Sequence, residues 1–234
     1  MNKIVPSYAF ETDGLRICVF SSHQPDTPVI YLHDMNGTGR QILHYLDRSA
    51  FSLVTITVPQ DRWSDLLAPW PTPDGWPQYV ACGCGAKPYL DTLVEKIIPE
   101  AESHLEPISW RGIAGYSLAG LFAIYAECLT PMFDRVASAS GSLWYPGFKA
   151  WFEDHLPIRL PESVYFSCGS EEFNTTNPYL SPVRETTIAL EKWFAAHKVQ
   201  TTLQINPGDH YTQVMERTEA AVSWILDHPQ KVAS

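Results

Sequence analysis

The hexapeptide Gly115-Tyr116-Ser117-Leu118-Ala119-Gly120 lies between a short apolar run, Trp110 to Ala114, and an apolar, Ala-rich run to Ala126 whose spacing is helical. A serine among small residues at such a junction constrains the fold strongly, because only a tight, strained turn joins a buried strand to a helix in that space. Gly115 and Ala119 leave room for the bend, and Gly120 lets the helix pass close to the strand before it. In a chain with 13 Gly among 234 residues, chance supplies about 0.05 matches to Gly-x-Ser-x-x-Gly. The hexapeptide reads as a nucleophile elbow. A serine hydroxyl is a weak nucleophile at neutral pH, and the turn lifts it from the sheet toward a base that can activate it.

The rest of the chain supplies the elements an elbow requires. Strand-like runs fall at Arg16–Phe20, Pro28–Leu32, Ser52–Val58, Gly112–Ala114, Arg135–Ala139, Val164–Ser167 and Thr201–Ile205. Helical patterns fall at 39–48, 89–105, 118–129, 181–198 and 212–228, with a short helix near Phe148 to Leu156. This alternation predicts an α/β fold: a mainly parallel twisted sheet with helices on both faces and an antiparallel N-terminal edge. In such a sheet, functional groups collect on loops at the carboxyl ends of strands. Four segments qualify: His33-Asp34-Met35-Asn36-Gly37, the elbow, Gly169-Ser170-Glu171-Glu172, and Gly208-Asp209-His210.

Composition narrows the classes. At 45% hydrophobic residues, with no linker-like or repetitive stretch, one domain over 1–234 is expected. No apolar run reaches the length of a membrane span, and Met1 to Pro6 does not open a signal peptide, so a soluble, cytoplasmic protein is expected. The five cysteines, Cys18, Cys82, Cys84, Cys128 and Cys168, are scattered and odd in number, unlike a disulfide framework. A formal charge of −10 argues against nucleic acid and anionic polymers as partners. Cys82-Gly83-Cys84 is too closely spaced for a metal knuckle, and no phosphate-loop or dinucleotide glycine pattern is present, so neither metal nor cofactor is expected.

The order serine, acid, histidine is the one an elbow-bearing sheet uses. Glu172 follows Ser117 by 55 positions and His210 follows Glu172 by 38, leaving room for the intervening strands and helices. Of eight histidines, His44, His104, His155, His197 and His228 fall within or at the ends of helical patterns, His23 in an early turn, and His33 in an oxyanion-type loop. His210 alone follows the last strand, which makes it the candidate general base. In a Gly-x-x-acid turn the fourth residue turns back toward the strand end, which selects Glu172 over its neighbour Glu171. Asp209 is too close in sequence to reach the far nitrogen of His210. The backbone N–H of Leu118 is one candidate oxyanion donor, and Met35 or Asp34 supplies the other. The Asp34 carboxylate is expected to turn away from the oxyanion and stabilise its own loop or helix start.

These residues resemble the α/β-hydrolase superfamily and, within it, the putative-esterase group that contains esterase D-like enzymes and siderophore (enterobactin-type) esterases. The resemblance spans nearly the whole chain. Leu32 to Gly37, Trp63 to Pro71, the elbow, Ser140-Gly141-Ser142-Leu143-Trp144-Tyr145-Pro146, and Gly169 to Glu172 through Asn177-Pro178 carry it. It implies a serine hydrolase that cleaves small-molecule carboxylic esters through an acyl-enzyme, with Ser117, Glu172 and His210 as triad and no large cap domain. Two departures stand out. Ala119 replaces the more usual glycine of the pentapeptide, and the oxyanion turn lacks the triple glycine of lipase-like relatives. Acyl transfer to an alcohol, thioester cleavage and silent ligand binding remain alternatives on the same fold.

With no cap insertion after Ala139, the stretch of about 30 residues between Val58 and Tyr89, rich in Trp and Pro, is the candidate substrate wall. Trp63, Trp70, Trp76, Trp144 and Tyr116 are the candidate substrate-binding aromatics, with packing of a proline-rich loop as the competing role for the tryptophans. Arg62 and Lys87 flank this loop as candidate receivers of an anionic group.

Overall fold

The computed structural model describes residues 4–74, 83–174 and 180–228. Two compact units divide the chain, Met1–Ile113 and Ala114–Ser234.

In the first unit the strand order is β1-β2-β4-β3-β5, from β1 (Tyr8–Thr12), β2 (Leu15–Phe20), β3 (Thr27–Met35), β4 (Ser52–Val58) and the start of β5 (Ile108–Tyr116). The pairs β1·β2 and β2·β4 are antiparallel and β3·β4 is parallel, so the expected antiparallel N-terminal edge is present. Strand β1 was not expected. It pairs from Tyr8↔Val19 to Thr12↔Leu15 across Asp13 (φ 49°) and Gly14 (φ 74°), the two left-handed residues of a tight hairpin turn. Strand β3 runs to Met35, three residues beyond Leu32 where it was expected to stop. His33 and Asp34 continue it with partners for polar atoms that the sequence does not display: His33 Nε2 lies 2.7 Å from the Tyr89 hydroxyl, and the Asp34 carboxylate accepts from the Gly37 and Gly39 N–H groups.

Helices in this unit also depart from expectation. The stretch after Val58 contains α1 (Gln60–Leu67), so it is not one long loop. The pattern at 39–48 forms a short 3-10 helix, Gly39–His44. The pattern at 89–105 becomes α2 (Ala86–Thr92), a π-helical turn at Leu93–Ile97, and α3 (Ile98–Glu102). Pro99 lacks an N–H and collides with the preceding turn in a regular helix, and the wider π turn just before it relieves that conflict.

The second unit carries β5-β6-β7-β8, adding β6 (Arg135–Ala139), β7 (Ser163–Gly169) and β8 (Gln200–Asn206) to the end of β5. Both β6·β7 and β7·β8 are parallel. Every residue of β6 and β7 is buried, as expected for parallel strands covered on both faces. The covering helices are α4 (Leu118–Leu129), α6 (Val183–Ala196) and α7 (Val214–Asp227), which pack on β6, on β7 and β8, and on β6 and β7 respectively; α5 (Phe148–Asp154) is short. Helix α4 buries Leu118 through Cys128, which explains its apolar run from Leu118 to Ala126.

Three of these helices end alike. His155, His197 and His228 each follow the last helical residue of α5, α6 and α7, stack on the tryptophan four positions earlier, and donate Nδ1–H to its carbonyl at 2.9, 2.7 and 2.8 Å. Each imidazole thereby adds a hydrogen bond to a last-turn carbonyl, that of Trp193 also accepting from the His197 backbone N–H at 3.2 Å. Arg135 does similar work from β6, donating to the Ile225 and Leu226 carbonyls at the end of α7. Cys18, Cys84, Cys128 and Cys168 are free thiols. Among the described residues no helix is long and apolar enough to cross a membrane.

Candidate active site

Ser117 stands between β5 and α4 with φ 59° and ψ −124°, a left-handed backbone that a side chain other than glycine rarely adopts. The bend is held by what surrounds it. Its N–H donates to the Ala139 carbonyl (3.0 Å), and its own carbonyl accepts from the N–H groups of Gly120 (3.0 Å), Leu121 (3.1 Å) and Ser142 (3.0 Å). The small neighbours are required by space. A Cβ on Gly115 would sit 2.5 Å from the backbone of Ala119, and one on Gly120 would sit 3.0 Å from the Gly141 Cα.

The loops after β7 and β8 are fastened together. Ser170 N–H donates to Asn206 O (2.7 Å), Glu171 N–H to Gly208 O (3.0 Å), and Gly208 N–H to Ser170 Oγ (3.1 Å). A Cβ on Gly169 would lie 2.5 Å from Gly208 O, so glycine alone permits this approach. Glu172 folds back over its own turn, accepting from Gly169 N–H at 2.6 Å through Oε1. Its Oε2 lies 3.0 Å from His210 Nδ1, and His210 Nε2 lies 2.9 Å from Ser117 Oγ. Ser117, Glu172 and His210 are thus brought together in one hydrogen-bonded line. Glu171 is exposed, and the Asp209 carboxylate accepts from Tyr211 N–H and the Thr212 hydroxyl.

Electrostatics set the direction of these bonds. Burial alone pushes the Glu172 carboxyl up, but the hydrogen bond and charge of His210, the Gly169 N–H and the Ser140 hydroxyl hold it on balance below the ordinary glutamate value. An ionised Glu172 only accepts, so Nδ1 of His210 carries the proton and Nε2 presents its lone pair to the Ser117 hydroxyl.

Beneath this line lies a support that the sequence pattern does not display. Arg217 on α7 is 2% exposed. It donates to Asp209 O (2.9 Å) and Pro207 O (2.8 Å), lies 3.4 Å from Glu172 Oε1 and Ser140 Oγ, and reaches the Tyr116 hydroxyl at 3.2 Å. Tyr116, a candidate substrate-binding residue, donates its hydroxyl to His210 O at 2.8 Å and so steadies the loop that carries the imidazole. One signal was available for Arg217. It lies four and eight positions before Ala221 and Ile225, on the buried stripe of α7. Ser142, from the Ser140-Gly141-Ser142 segment, is 3% exposed and places its hydroxyl 3.2 Å from Ser117 Oγ.

Leu118 opens α4, where a backbone N–H has no partner within the helix. In the first unit, Met35 ends β3 just before Asn36 (φ 64°) and Gly37 (φ 69°). The Asp34 carboxylate binds Gly37 N–H (3.1 Å) and Gly39 N–H (2.6 Å), turned onto its own loop; burial nonetheless raises its carboxyl above the ordinary aspartate value. Trp63 on α1, Trp70 and Trp144 are all part-buried; Trp144 lies against Tyr145, with ring centroids 6.0 Å apart. Arg62 donates to the Asp13 carbonyl and Lys87 pairs with Asp91 on α2. Trp76, Cys82 and Asn177-Pro178 lie outside the described residues. Among the described residues no group of three or more His, Cys, Asp or Glu side chains is arranged to hold a metal ion.

One buried carboxyl stands apart from this network. Glu127, on the third turn of α4, is 1% exposed, and neither oxygen has a hydrogen-bond partner among the described residues. Burial pushes it well above the ordinary glutamate value; Arg159 opposes the shift and Asp134 adds to it.

A mainly parallel sheet with antiparallel N-terminal strands and an elbow serine between strand and helix is the α/β-hydrolase fold. Within it, the chain matches the Putative esterase family over residues 17–213 and belongs to that family. It is 29% identical over 180 residues to uncharacterized protein YbbA of Bacillus subtilis (strain 168), a match covering 71% of this chain and 66%, just under two thirds, of that relative. Two solved structures share the fold. The siderophore hydrolase EstA from Aspergillus nidulans is 18% identical with a TM-score of 0.75, covering 94% of this chain and 92% of that one. An IroE-like serine hydrolase from Shewanella oneidensis is 18% identical with a TM-score of 0.73, covering 91% of this chain and 75% of that one.

Proposed function

We propose that the chain is a serine carboxylester hydrolase acting on small-molecule esters through an acyl-enzyme. The observation that carries this is the line Ser117 Oγ, His210 Nε2, His210 Nδ1, Glu172 Oε2, with both hydrogen bonds at 3.0 Å or less and its serine on a left-handed turn. Ser117 attacks the ester carbonyl carbon while His210 Nε2 takes its proton; the same proton then passes to the leaving alcohol. Glu172 keeps the imidazole in the tautomer that accepts from serine and stabilises the imidazolium that forms. Leu118 N–H donates to the oxyanion, and the turn after β3 supplies the second donor from Met35 or Asp34.

The test is pre-steady-state hydrolysis of 4-nitrophenyl acetate with phosphonate labelling. A burst of nitrophenolate, labelling at Ser117, and loss of both in a folded Ser117→Ala variant are expected; undiminished turnover in that variant refutes the proposal. A panel of esters of graded length and aromaticity, siderophore-type esters among them because EstA shares the fold, then defines the acyl and alcohol groups.

A further inference from the structure

We infer that Ser142 is a second catalytic hydroxyl, donating to Ser117 Oγ and serving the breakdown of the acyl-enzyme; this rests on the serine-hydrolase function proposed above. The position is built into the fold. Gly120 and Gly141 face each other so closely that a Cβ on Gly120 would lie 3.0 Å from the Gly141 Cα, and a Cβ on Gly141 would collide with Ser138 Oγ. That approach presses the loop after β6 onto the elbow. Ser142 N–H is bonded to the Ser117 carbonyl (3.0 Å), and Ser140, one step before Gly141, is forced to φ 41°. The backbone of Ser142 is therefore held beside the nucleophile, which places its hydroxyl within reach of Ser117 Oγ.

The direction of the Ser142 bond follows from the other partner of Ser117. His210 Nε2 accepts the Ser117 proton, so the Ser117 oxygen has only lone pairs left for Ser142, and the Ser142 O–H is the donor. During attack the bond is already made to the resting Ser117 hydroxyl, a good acceptor, and gains little on the way to the transition state, whereas the ester oxygen of the acyl-enzyme is a poor acceptor. During deacylation the same oxygen is the leaving group. Water adds to the acyl carbon as His210 Nε2 takes its proton. The tetrahedral intermediate then collapses, the bond from carbon to Ser117 Oγ breaks with its electron pair going to Oγ, and Oγ recovers a proton from His210. Ser142 keeps its own proton throughout and stabilises the charge that gathers on Oγ as that bond breaks.

This predicts an asymmetric defect. In Ser142→Ala, burst kinetics with 4-nitrophenyl acetate, normalised to sites titrated by phosphonate so that only competent molecules count, should show deacylation slowed about tenfold. The acylation rate and kcat/KM should stay within about twofold of the parent. Ser142→Cys, whose thiol donates weakly, should fall between the two. Intact-mass spectrometry should show the acetylated form of Ser142→Ala accumulating. A proportional fall in both steps, or no change in either, overturns the role of Ser142. A parent protein that neither bursts nor takes the phosphonate overturns the function itself, which separates the two failures.

Discussion

Ser117 has an imidazole on one side and a hydroxyl on the other, and the carboxyl behind the imidazole decides which way protons point. Glu172→Gln keeps the shape but presents an amide to His210 and leaves buried Arg217 without its carboxylate, so kcat should fall on the order of 10³-fold or more and the melting temperature should fall with it. Because the native Glu172 value is depressed, its contribution to stability is complete above the ordinary glutamate value of 4.5 and is lost as pH falls through the lower native value. It should therefore add no acid limb to a kcat profile above pH 4.5. Arg217→Met leaves the Pro207 and Asp209 carbonyls and one Glu172 oxygen without their buried cation, and urea unfolding should show a loss of about 3 kcal/mol. Glu172 and His210 were legible because each follows a strand-like run and the order is constrained. Arg217 was not, because an arginine on an amphipathic helix reads as solvent-facing until its partners are known.

Elements were read most accurately where burial is uniform. Strands β4 and β6 and helix α4 have the predicted bounds, since apolar runs framed by polar residues leave little choice. The errors fall where polar groups find partners that sequence does not display. Strand β3 outran its prediction through His33 and Asp34, and β1 was overlooked although Asp13-Gly14 is a strong hairpin signal. The pattern Trp-x-x-x-His at the ends of α5, α6 and α7 was visible as three histidines at helix termini, but not as three stacked caps. The loops after β7 and β8 depend on Gly169 for their contact. Gly169→Ala should push the Gly208 carbonyl away and displace His210 from Glu172, lowering kcat about 10²-fold in assays of the folded variant.

For the molecule as a whole, the alternation of strands and helices was enough to predict a mainly parallel α/β sheet, because parallel strands need helical crossovers, while the α/β-hydrolase fold was implied by the resemblance of the elbow and its neighbouring motifs. The way Glu127 is accommodated was invisible, since a lone glutamate in an apolar helix gives no sign of whether a partner awaits it. An acid whose native value is raised binds more protons folded than unfolded, so stability falls as pH rises above the ordinary glutamate value, by up to about 1.4 kcal/mol per pH unit. Replacing it by a similar apolar side chain, Glu127→Met, should flatten that slope in urea titrations from pH 5 to 8 and raise stability most at the alkaline end.

The same side chain ties the protein's tolerance of alkaline pH to one buried carboxyl whose ionisation burial opposes. Ester hydrolysis is commonly followed at high pH, where phenolate colour is strongest and bases are most fully deprotonated. There, the helix that begins at the nucleophile would have to hold a bare anion in hydrocarbon, and a fall in rate would report the scaffold loosening instead of the chemistry slowing.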